Sequence, residues 1–191
     1  MRRQLKFLNG NKSMRLIKTF LIGAIGLFIV ITLLSLLIPS SVKVSRTCLI
    51  NNTSKASVSK QVANLTNWKN WHPAFKNGDA KIDIIAGEGN GNTSAEIVYG
   101  AKSAKVIVTS ADSNNIEFML QSPGENDILN QILISPISGQ TNLQVEWRAL
   151  NNLKWYPWEK FYGIFIDKLT GPEYDEALKG LKEYLETSQQ Q

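Results

Sequence analysis

The stretch YGIFIDKLTGPEYDEALKGLKEYLE, residues 162 to 186, carries the clearest helical pattern in the chain. Its large apolar residues recur at spacings of three and four, as they do on one face of an α-helix. These residues are Phe165, Ile166, Leu169, Tyr174, Leu178, Leu181 and Leu185. Gly171 and Pro172 interrupt the pattern, because proline lacks a backbone N–H and crowds the preceding turn. Trp158 and Phe161 continue the same spacing upstream, and Pro157 suits a first-turn position. The sequence therefore predicts a long C-terminal helix from Pro157 in two segments, bent at Gly171.

Ahead of this helix the apolar period changes to two, which is typical of β-strands. A first strand is predicted from Val42 to Ile50, and two short helices follow it between Thr53 and Pro73. Six more runs rich in Val, Ile, Thr and aromatic residues cover residues 81–86, 93–100, 103–111, 115–122, 128–137 and 141–150. Because short turn clusters separate the six runs, we expect hairpins and hence an antiparallel sheet.

Two segments of this sequence resemble a known superfamily. WKNWHP (Trp68 to Pro73) and residues 162 to 186 are similar to the SRPBCC superfamily, and within it to polyketide cyclase/dehydrase-like proteins with an N-terminal membrane segment. There the two segments read approximately N-W-x-x-W-x-P and Y-x-G-L-x-x-D-x-x-x-G-P-x-F/Y-x-x-G-L-x-x-L-K. The resemblance covers residues 39 to 187. Ala177 departs from it, where relatives usually carry Gly, and so does His72, where Ser, Glu or Asp is expected.

The order of the predicted elements is that of the helix-grip (START-like) fold. The resemblance implies an α+β domain in which a curved, antiparallel, seven-stranded sheet wraps around a long, kinked C-terminal helix. It also implies a cavity between the sheet and this helix that holds a hydrophobic molecule. Some members of the superfamily bind or carry lipids and other apolar molecules, and others are cyclases or hydrolases.

An uncharged run of 20 residues, from Thr19 to Ile38, precedes the domain. As a helix it would be about 30 Å long, which matches the hydrocarbon thickness of a bilayer. A cleaved signal peptide would have a shorter apolar run that ends in small residues. We therefore expect a basic cytoplasmic tail (residues 1–18), a transmembrane helix (19–38), the helix-grip domain (39–187) and a frayed tail (188–191).

The positive charge of the chain, +5 with a pI near 9.3, is concentrated at the N-terminus. Six Lys and Arg residues and no acid precede the apolar run, whereas residues 19 to 191 hold 15 Lys/Arg and 16 acids. An excess of Lys and Arg marks the cytoplasmic side of a membrane span. We therefore predict a single-pass protein whose N-terminus is cytoplasmic and whose domain is periplasmic or otherwise extracytoplasmic. A near-neutral domain does not favour nucleic acid as a partner.

Catalytic and metal-binding sets are sparse in this sequence. One Cys and one His exclude a disulfide within the chain and most zinc sites, so we expect no metal and no cofactor. The motif Gly-x-Ser-x-Gly of serine hydrolases does not occur, and His72 is the only possible histidine base. His72 is therefore a weak catalytic candidate, and Cys48, in the middle of a predicted strand, is expected to be a packed thiol.

Aromatic residues are the remaining functional signal, and three interpretations of them stay open. Large aromatic side chains fill the core of most folds, but they also line apolar pockets. The candidate ligand-binding residues are Trp68, Trp71, Phe118, Leu120, Val145, Trp147, Trp158, Phe161 and Phe165. Trp155, Tyr156 and Trp158 could instead lie at the membrane interface, where amphipathic rings are enriched.

The sequence thus predicts a membrane-tethered module that binds a hydrophobic small molecule or lipid without changing it. One alternative is a cyclase- or hydrolase-type enzyme that acts on a polyketide-like or lipid substrate in the same cavity, with His72 as a proton relay. A second alternative is a structural or partner-binding ectodomain with a filled interior.

Overall fold

Seven antiparallel strands form one sheet in the computed structural model, which describes residues 4–76, 80–85, 94–138 and 141–188. The strands are β1 (Ser41–Ile50), β2 (Ala80–Ile85), β3 (Ser94–Tyr99), β4 (Lys102–Ala111), β5 (Asn115–Gln121), β6 (Ile128–Pro136) and β7 (Leu143–Asn152). Their order in the sheet is β1-β7-β6-β5-β4-β3-β2. Strands β2 to β7 therefore each pair with the next strand in the sequence. The first strand, β1, pairs with the last, β7.

The seven predicted strands are confirmed within a few residues of their ends. The predicted ends at residues 86 and 93, and the tail beyond residue 188, lie outside the described residues. An irregular register between Val108 and Ser110, where β4 pairs with β5, marks a β-bulge. A bulge bends its strand and increases the local twist, which is how an antiparallel sheet curves around a helix.

Helices complete the fold, and most of them are short. They are α1 (Gln4–Ser35), α2 (Lys55–Ala63), α3 (Trp68–Trp71), α4 (Pro73–Lys76), α5 (Pro157–Gly163) and α6 (Ile166–Thr187). The chain forms two compact units, one of Met1–Ser40 with Lys154–Tyr162 and the other of Ser41–Leu153 with Gly163–Gln191. The second unit contains the sheet and α6, and it has the predicted α+β helix-grip architecture.

In the first unit, α1 contains the predicted membrane span. Residues Ser13–Ser35 form a helix with a mean hydropathy of 2.4, which is long and apolar enough to cross a membrane. The predicted span ended at Ile38, three residues beyond the end of the helix. Leu37 and Ile38 instead close a tighter turn through backbone hydrogen bonds to Leu34 and Ser35. Pro39 explains the early end, because the residue before a proline is disfavoured in the α conformation.

In the second unit, α6 is continuous across Gly171 and Pro172. The predicted division at Gly171 is therefore wrong, and the chain interrupts the helical pattern earlier, at Ile164 and Phe165. The prediction failed because it considered only the backbone of the helix and not its neighbours in the fold.

Arg46 of β1 holds α6 together on both sides of Pro172. Its guanidinium group donates to the Asp167 carboxylate at 2.8 Å and to the Asp167 backbone carbonyl at 3.2 Å. It also donates to the Asp175 carboxylate at 3.1 Å, one turn beyond the proline. A methyl group at Gly171 would overlap with the same guanidinium group. Glycine at this position therefore leaves room for Arg46 to bind carbonyl and carboxylate groups of α6 before and after Pro172.

The buried face of α6 packs against the sheet and α3. Four residues on this face of α6 are almost fully buried: Ala177, Leu178, Leu181 and Leu185. They share one core with Val58 and Val62 of α2 and with the inward-facing residues of the strands. Each buried leucine contributes about 2 kcal/mol to folding relative to an exposed one, so this face attaches α6 to the sheet.

Gly180 brings α6 unusually close to α3. A methyl group added at Gly180 would overlap with the backbone carbonyl oxygen of Trp71, at the end of α3. Backbone cannot move aside as a flexible side chain can. The absence of a side chain at Gly180 therefore sets the distance between α6 and the turn that carries Trp68, Trp71 and His72.

We predict that Gly180→Ala lowers the free energy of unfolding by roughly 2 to 3 kcal/mol, because the added methyl group displaces α3. Without this contact, alanine in a helix would stabilise by about 1 kcal/mol relative to glycine. The measurement is denaturant unfolding of the full chain in detergent micelles, followed by tryptophan fluorescence. Lys179→Ala, at an exposed neighbouring position, is the matched control and should change little. A Gly180→Ala protein as stable as the wild type would contradict the prediction.

Candidate functional site

Two tryptophans, three residues apart in α3, start the site. Trp68 and Trp71 are both buried, and their indole N–H groups donate to carbonyl oxygens of Val62 at 2.8 Å and Gln61 at 3.3 Å. These carbonyls belong to the last turn of α2, where helical partners are lacking. These two hydrogen bonds therefore pair free carbonyl groups at the end of α2 with the indole N–H groups, which fixes both rings.

Trp68 is the centre of an aromatic cluster that joins α3 to the sheet. Its ring lies parallel to His72 at 5.3 Å between centroids and meets Phe118 of β5 edge to face at 5.2 Å. Trp147 of β7 lies at 6.3 Å from it and contacts Tyr174 of α6 at 5.1 Å. Edge-to-face and tilted pairs at these distances are favourable beyond the area that they bury. The cluster therefore connects three layers: the sheet, the α3 turn and α6.

An apolar cavity of about 180 Å³ lies within this cluster. It is bounded by residues of α3, α4, the strands β3 to β7 and α6. These residues are Trp68, His72, Ala74, Phe75, Ile97, Val106, Phe118, Leu120, Asn130, Trp147, Glu173 and Tyr174. A dry cavity of about 150 Å³ can hold benzene. The present cavity is therefore large enough for one ring or a short stretch of alkyl chain.

A larger hollow of about 410 Å³ lies at the β3–β4 and β5–β6 turns. Its lining is mostly short or polar: Ile97, Ala101, Lys102, Ser103, Ala104, Ser122, Pro123 and Glu125. Small-molecule sites usually have predominantly apolar and aromatic linings, so the smaller aromatic cavity is the better candidate.

Asn130 supplies a buried amide to the cavity wall. Its side chain is almost completely buried, accepts a hydrogen bond from Trp147 Nε1 at 2.9 Å and donates one to the Ile128 carbonyl at 3.2 Å. Asn130 is not among the site residues predicted from the sequence. A signal was available, because Asn130 alternates with Ile128, Ile132 and Ile134 on one face of β6 and is the only polar residue of the four. A polar side chain on an inward-facing strand position often marks a site.

His72 and Tyr174 are uncharged members of the lining. Burial lowers the pKa of His72 to about 4, so the imidazole is neutral at physiological pH. The His72 Nδ1 atom is buried and has no hydrogen-bond partner among the described residues. Burial, together with the nearby charge of Glu173, raises the pKa of Tyr174 to about 12, so its hydroxyl group keeps its proton. The site thus offers neutral hydrogen-bonding groups within an aromatic wall.

The nine candidate ligand-binding residues fall into three groups. Trp68, Phe118, Leu120 and Trp147 line the cavity. Trp71 and Val145 are buried in the surrounding core and are not among the lining residues. The remaining three, Trp158, Phe161 and Phe165, do not line it either and are exposed.

Helix boundaries explain the exposed group. The prediction placed these three residues on the inward face of one long helix, but α6 begins only at Ile166. Phe165 precedes its first turn and is more than half exposed. Trp158 and Phe161 belong to α5, in the unit that contains α1.

Cys48 takes no part in the cavity. Its thiol lies 3.8 Å from the Leu178 carbonyl of α6, and burial raises its pKa to about 11. A thiol with this pKa is protonated at physiological pH and is a poor nucleophile.

Comparisons with known proteins identify the fold. No family model and no curated protein matches the sequence. Among solved structures, a START superfamily protein from Mycobacterium smegmatis is 19% identical, with a TM-score of 0.58 over 76% of this chain and 98% of that chain. A protein of unknown function from Staphylococcus aureus is 17% identical, with a TM-score of 0.56 over 79% and 97%.

A third similar structure is the di-domain ARO/CYC StfQ from the steffimycin biosynthetic pathway. It is 8% identical, with a TM-score of 0.63 over 79% of this chain and 52% of that chain. Identities this low show a shared fold and nothing further. The second unit of this protein therefore has the fold of START-type and aromatase/cyclase proteins.

We predict that His72 titrates near pH 4 and that its burial makes folding pH-dependent. Its folded-state pKa is below the unfolded value of about 6.5, so the unfolded chain takes up a proton first as the pH falls. Stability is therefore complete above about pH 6.5 and declines by roughly 3 kcal/mol as the pH falls towards 4.

Because His72 is the only histidine, ¹⁵N-histidine labelling of the untagged full chain gives a single imidazole to titrate by NMR. His72→Phe retains a ring but not the proton uptake, so this variant should lose less stability between pH 7 and pH 5 than the wild type. A measured pKa of 6 or above would contradict the prediction.

Proposed function

We propose that this protein is a membrane-tethered binding module that holds a small apolar molecule, or the apolar part of a lipid, in the aromatic cavity without changing it. The observation that carries the proposal is the cavity itself. Its wall is built from fixed aromatic rings, and its amide, Asn130, already has protein partners. Such a wall favours an apolar ligand, because the ligand buries few polar groups that would lose hydrogen bonds to water.

The size of the cavity limits what can be enclosed. A volume of about 180 Å³ is below the roughly 300 to 1,000 Å³ of sites that enclose drug-sized ligands. A single ring or a short acyl segment would fit, whereas a multi-ring molecule would extend beyond the cavity or displace its wall. The lining residues Trp68, Phe118, Leu120 and Trp147 are the ligand contacts in this proposal.

The titratable groups of the cavity favour binding over catalysis. A general acid or base works best when its pKa is close to the operating pH. The pKa values of His72 and Tyr174, about 4 and about 12, lie well away from neutrality on either side. These values do not support a proton relay through His72, which the enzymatic alternative requires.

The membrane tether in this proposal consists of α1 and three aromatic residues just before and at the start of α5. Lys160 is almost completely buried, and its ammonium group donates to the Ile38 carbonyl at 3.1 Å and to the Ser40 hydroxyl at 2.6 Å. These two contacts connect α5 to the turn that follows α1. A buried ammonium group is costly unless oxygen atoms surround it, so the contacts hold this connection in place.

Three aromatic residues next to this connection are suited to a lipid headgroup region. Tyr156 stacks on Trp158 with an interplanar angle of 6°, and Trp155 lies 5.0 Å from Tyr156. Trp155 and Trp158 are 62% and 64% exposed. Exposed indoles beside the end of a membrane span are favourable at the interface, where the ring meets acyl chains and the N–H meets water. In this proposal the basic N-terminal tail is cytoplasmic and the helix-grip domain is on the opposite side of the membrane.

We predict that a ligand co-purifies with the full chain when it is extracted from its own host with lipid-preserving polymer. Leu120→Phe adds bulk to the cavity wall and should reduce ligand occupancy at least several-fold, because the cavity is barely larger than one ring. Native mass spectrometry measures the occupancy. Leu49→Phe, at an exposed position of β1, is the matched control and should keep the ligand. A ligand-free mass for the wild type would contradict the proposal. Release of the ligand in a chemically altered form would favour the enzyme.

Membrane placement is predicted by the same proposal and needs two measurements on the full chain. In liposomes, the fluorescence of Trp155 and Trp158 is the difference between the wild type and a Trp155→Ser/Trp158→Ser variant. Lipids brominated near the headgroups should quench this difference signal, and aqueous iodide should not. A C-terminal reporter that is active only outside the cytoplasm should be active in cells. Free quenching by iodide would contradict the interface position, and activity of a cytoplasm-only reporter would contradict the orientation.

A further inference from the structure

His72 is held rigidly against the cavity. Its backbone N–H donates to the Trp68 carbonyl at 2.8 Å, and its own carbonyl accepts from the N–H groups of Phe75 and Lys76. The imidazole is stacked on Trp68 and meets Phe75 edge to face at 4.9 Å. These contacts fix the position of the backbone and place the ring between Trp68 and Phe75.

The buried Nδ1 atom of this ring has no hydrogen-bond partner among the described residues, although the ring lines the cavity. A buried polar atom without a partner is costly, and natural proteins keep few of them without a reason. The buried amide of the wall, Asn130, already binds Trp147 and the Ile128 carbonyl. Because the His72 ring belongs to the cavity lining, a molecule in the cavity could supply a partner for Nδ1 if the ring moved slightly, since the atom itself is buried.

We propose that the ligand is a small neutral molecule with an apolar body and one hydroxyl group, and that this hydroxyl group hydrogen-bonds to His72 Nδ1. This inference rests on the proposed binding function. A hydroxyl group both donates and accepts, so it suits either tautomer of a neutral imidazole. The apolar body occupies the space between Phe118, Leu120 and Trp147.

The charges around the cavity select a neutral ligand over an anionic one. Burial keeps the imidazole uncharged at physiological pH by lowering its pKa to about 4. No Lys or Arg is found among the described residues that line the cavity, and Glu173 adds a carboxylate to the lining. A ligand carboxylate would therefore lose its hydration without gaining a positive partner.

The test compares phenol with toluene, which differ by a hydroxyl group in place of a methyl group, and with benzoate. Untagged full-length protein in lipid nanodiscs is labelled with ¹⁵N-histidine and ¹⁵N-tryptophan, and affinities refer to the free aqueous probe concentration. Phenol and toluene should both shift the Trp147 indole signal. Only phenol should move the His72 imidazole nitrogens strongly, and benzoate should bind more weakly than phenol.

Two variants make the comparison quantitative. In His72→Phe the ratio of phenol affinity to toluene affinity should fall roughly 3- to 10-fold, which is the effect of one net hydrogen bond. Leu120→Val changes the shape of the apolar wall only and should leave this ratio within about twofold of the wild-type ratio.

The possible outcomes separate this inference from the proposed function. Binding of both neutral probes with equal imidazole shifts, or an unchanged ratio in His72→Phe, would overturn the hydroxyl contact and leave the apolar binding function standing. Tighter binding of benzoate than of phenol would also overturn it. If neither neutral probe shifts the Trp147 signal, the cavity does not bind ligands of this size, and both proposals fail. The wild-type comparison does not depend on whether the variants fold.

Discussion

The close approach of α6 to α3 is the constraint on which the rest of the domain depends. Gly180 allows the helix to lie against the Trp71 carbonyl, and no larger residue could do so without moving backbone. Trp68, one turn earlier in α3, is thereby held between α6 and the sheet, where it contacts Phe118 and Trp147. The cavity lies among these rings, and its wall is formed by them.

Arg46 imposes a second constraint at the other end of α6. Its bonds to Asp167 and Asp175 cross the position of Pro172 and join β1 to the helix. Both carboxylates are exposed, so the ion pairs contribute little free energy. Their effect is geometric: they join β1 to α6 on both sides of Pro172, and Tyr174 of the same helix contacts Trp147 in the cavity wall.

The described lining of the site has one carboxylate, that of Glu173, and no Lys or Arg, in a protein whose charge is strongly asymmetric. His72, Asn130 and Tyr174 offer hydrogen bonds without charge, whereas the net positive charge of the sequence lies in residues 1–18, ahead of the apolar run. This separation is physically consistent with a tethered apolar-ligand binder. Under the proposed function, the charge at the N-terminus would orient the chain in a membrane, and an aromatic cavity without Lys or Arg among its described lining residues would lower the cost of desolvating an apolar ligand.

Sequence alone determined the seven strands, the apolar N-terminal helix and the helix-grip class, since each depends on local periodicity and on turn residues between the elements. Four of the nine candidate ligand-binding residues line the cavity, because large aromatic and aliphatic residues that point into the domain from different elements tend to meet. Tertiary structure decided the rest. The helix runs through Gly171-Pro172 beside Arg46, which lies 125 positions before Gly171 and binds the helix on both sides of the proline, and whether Phe165 is buried depends on where that helix begins. The role of Asn130 depends on Trp147 in the neighbouring strand. These outcomes are set by contacts between distant residues, which periodicity along the chain does not encode.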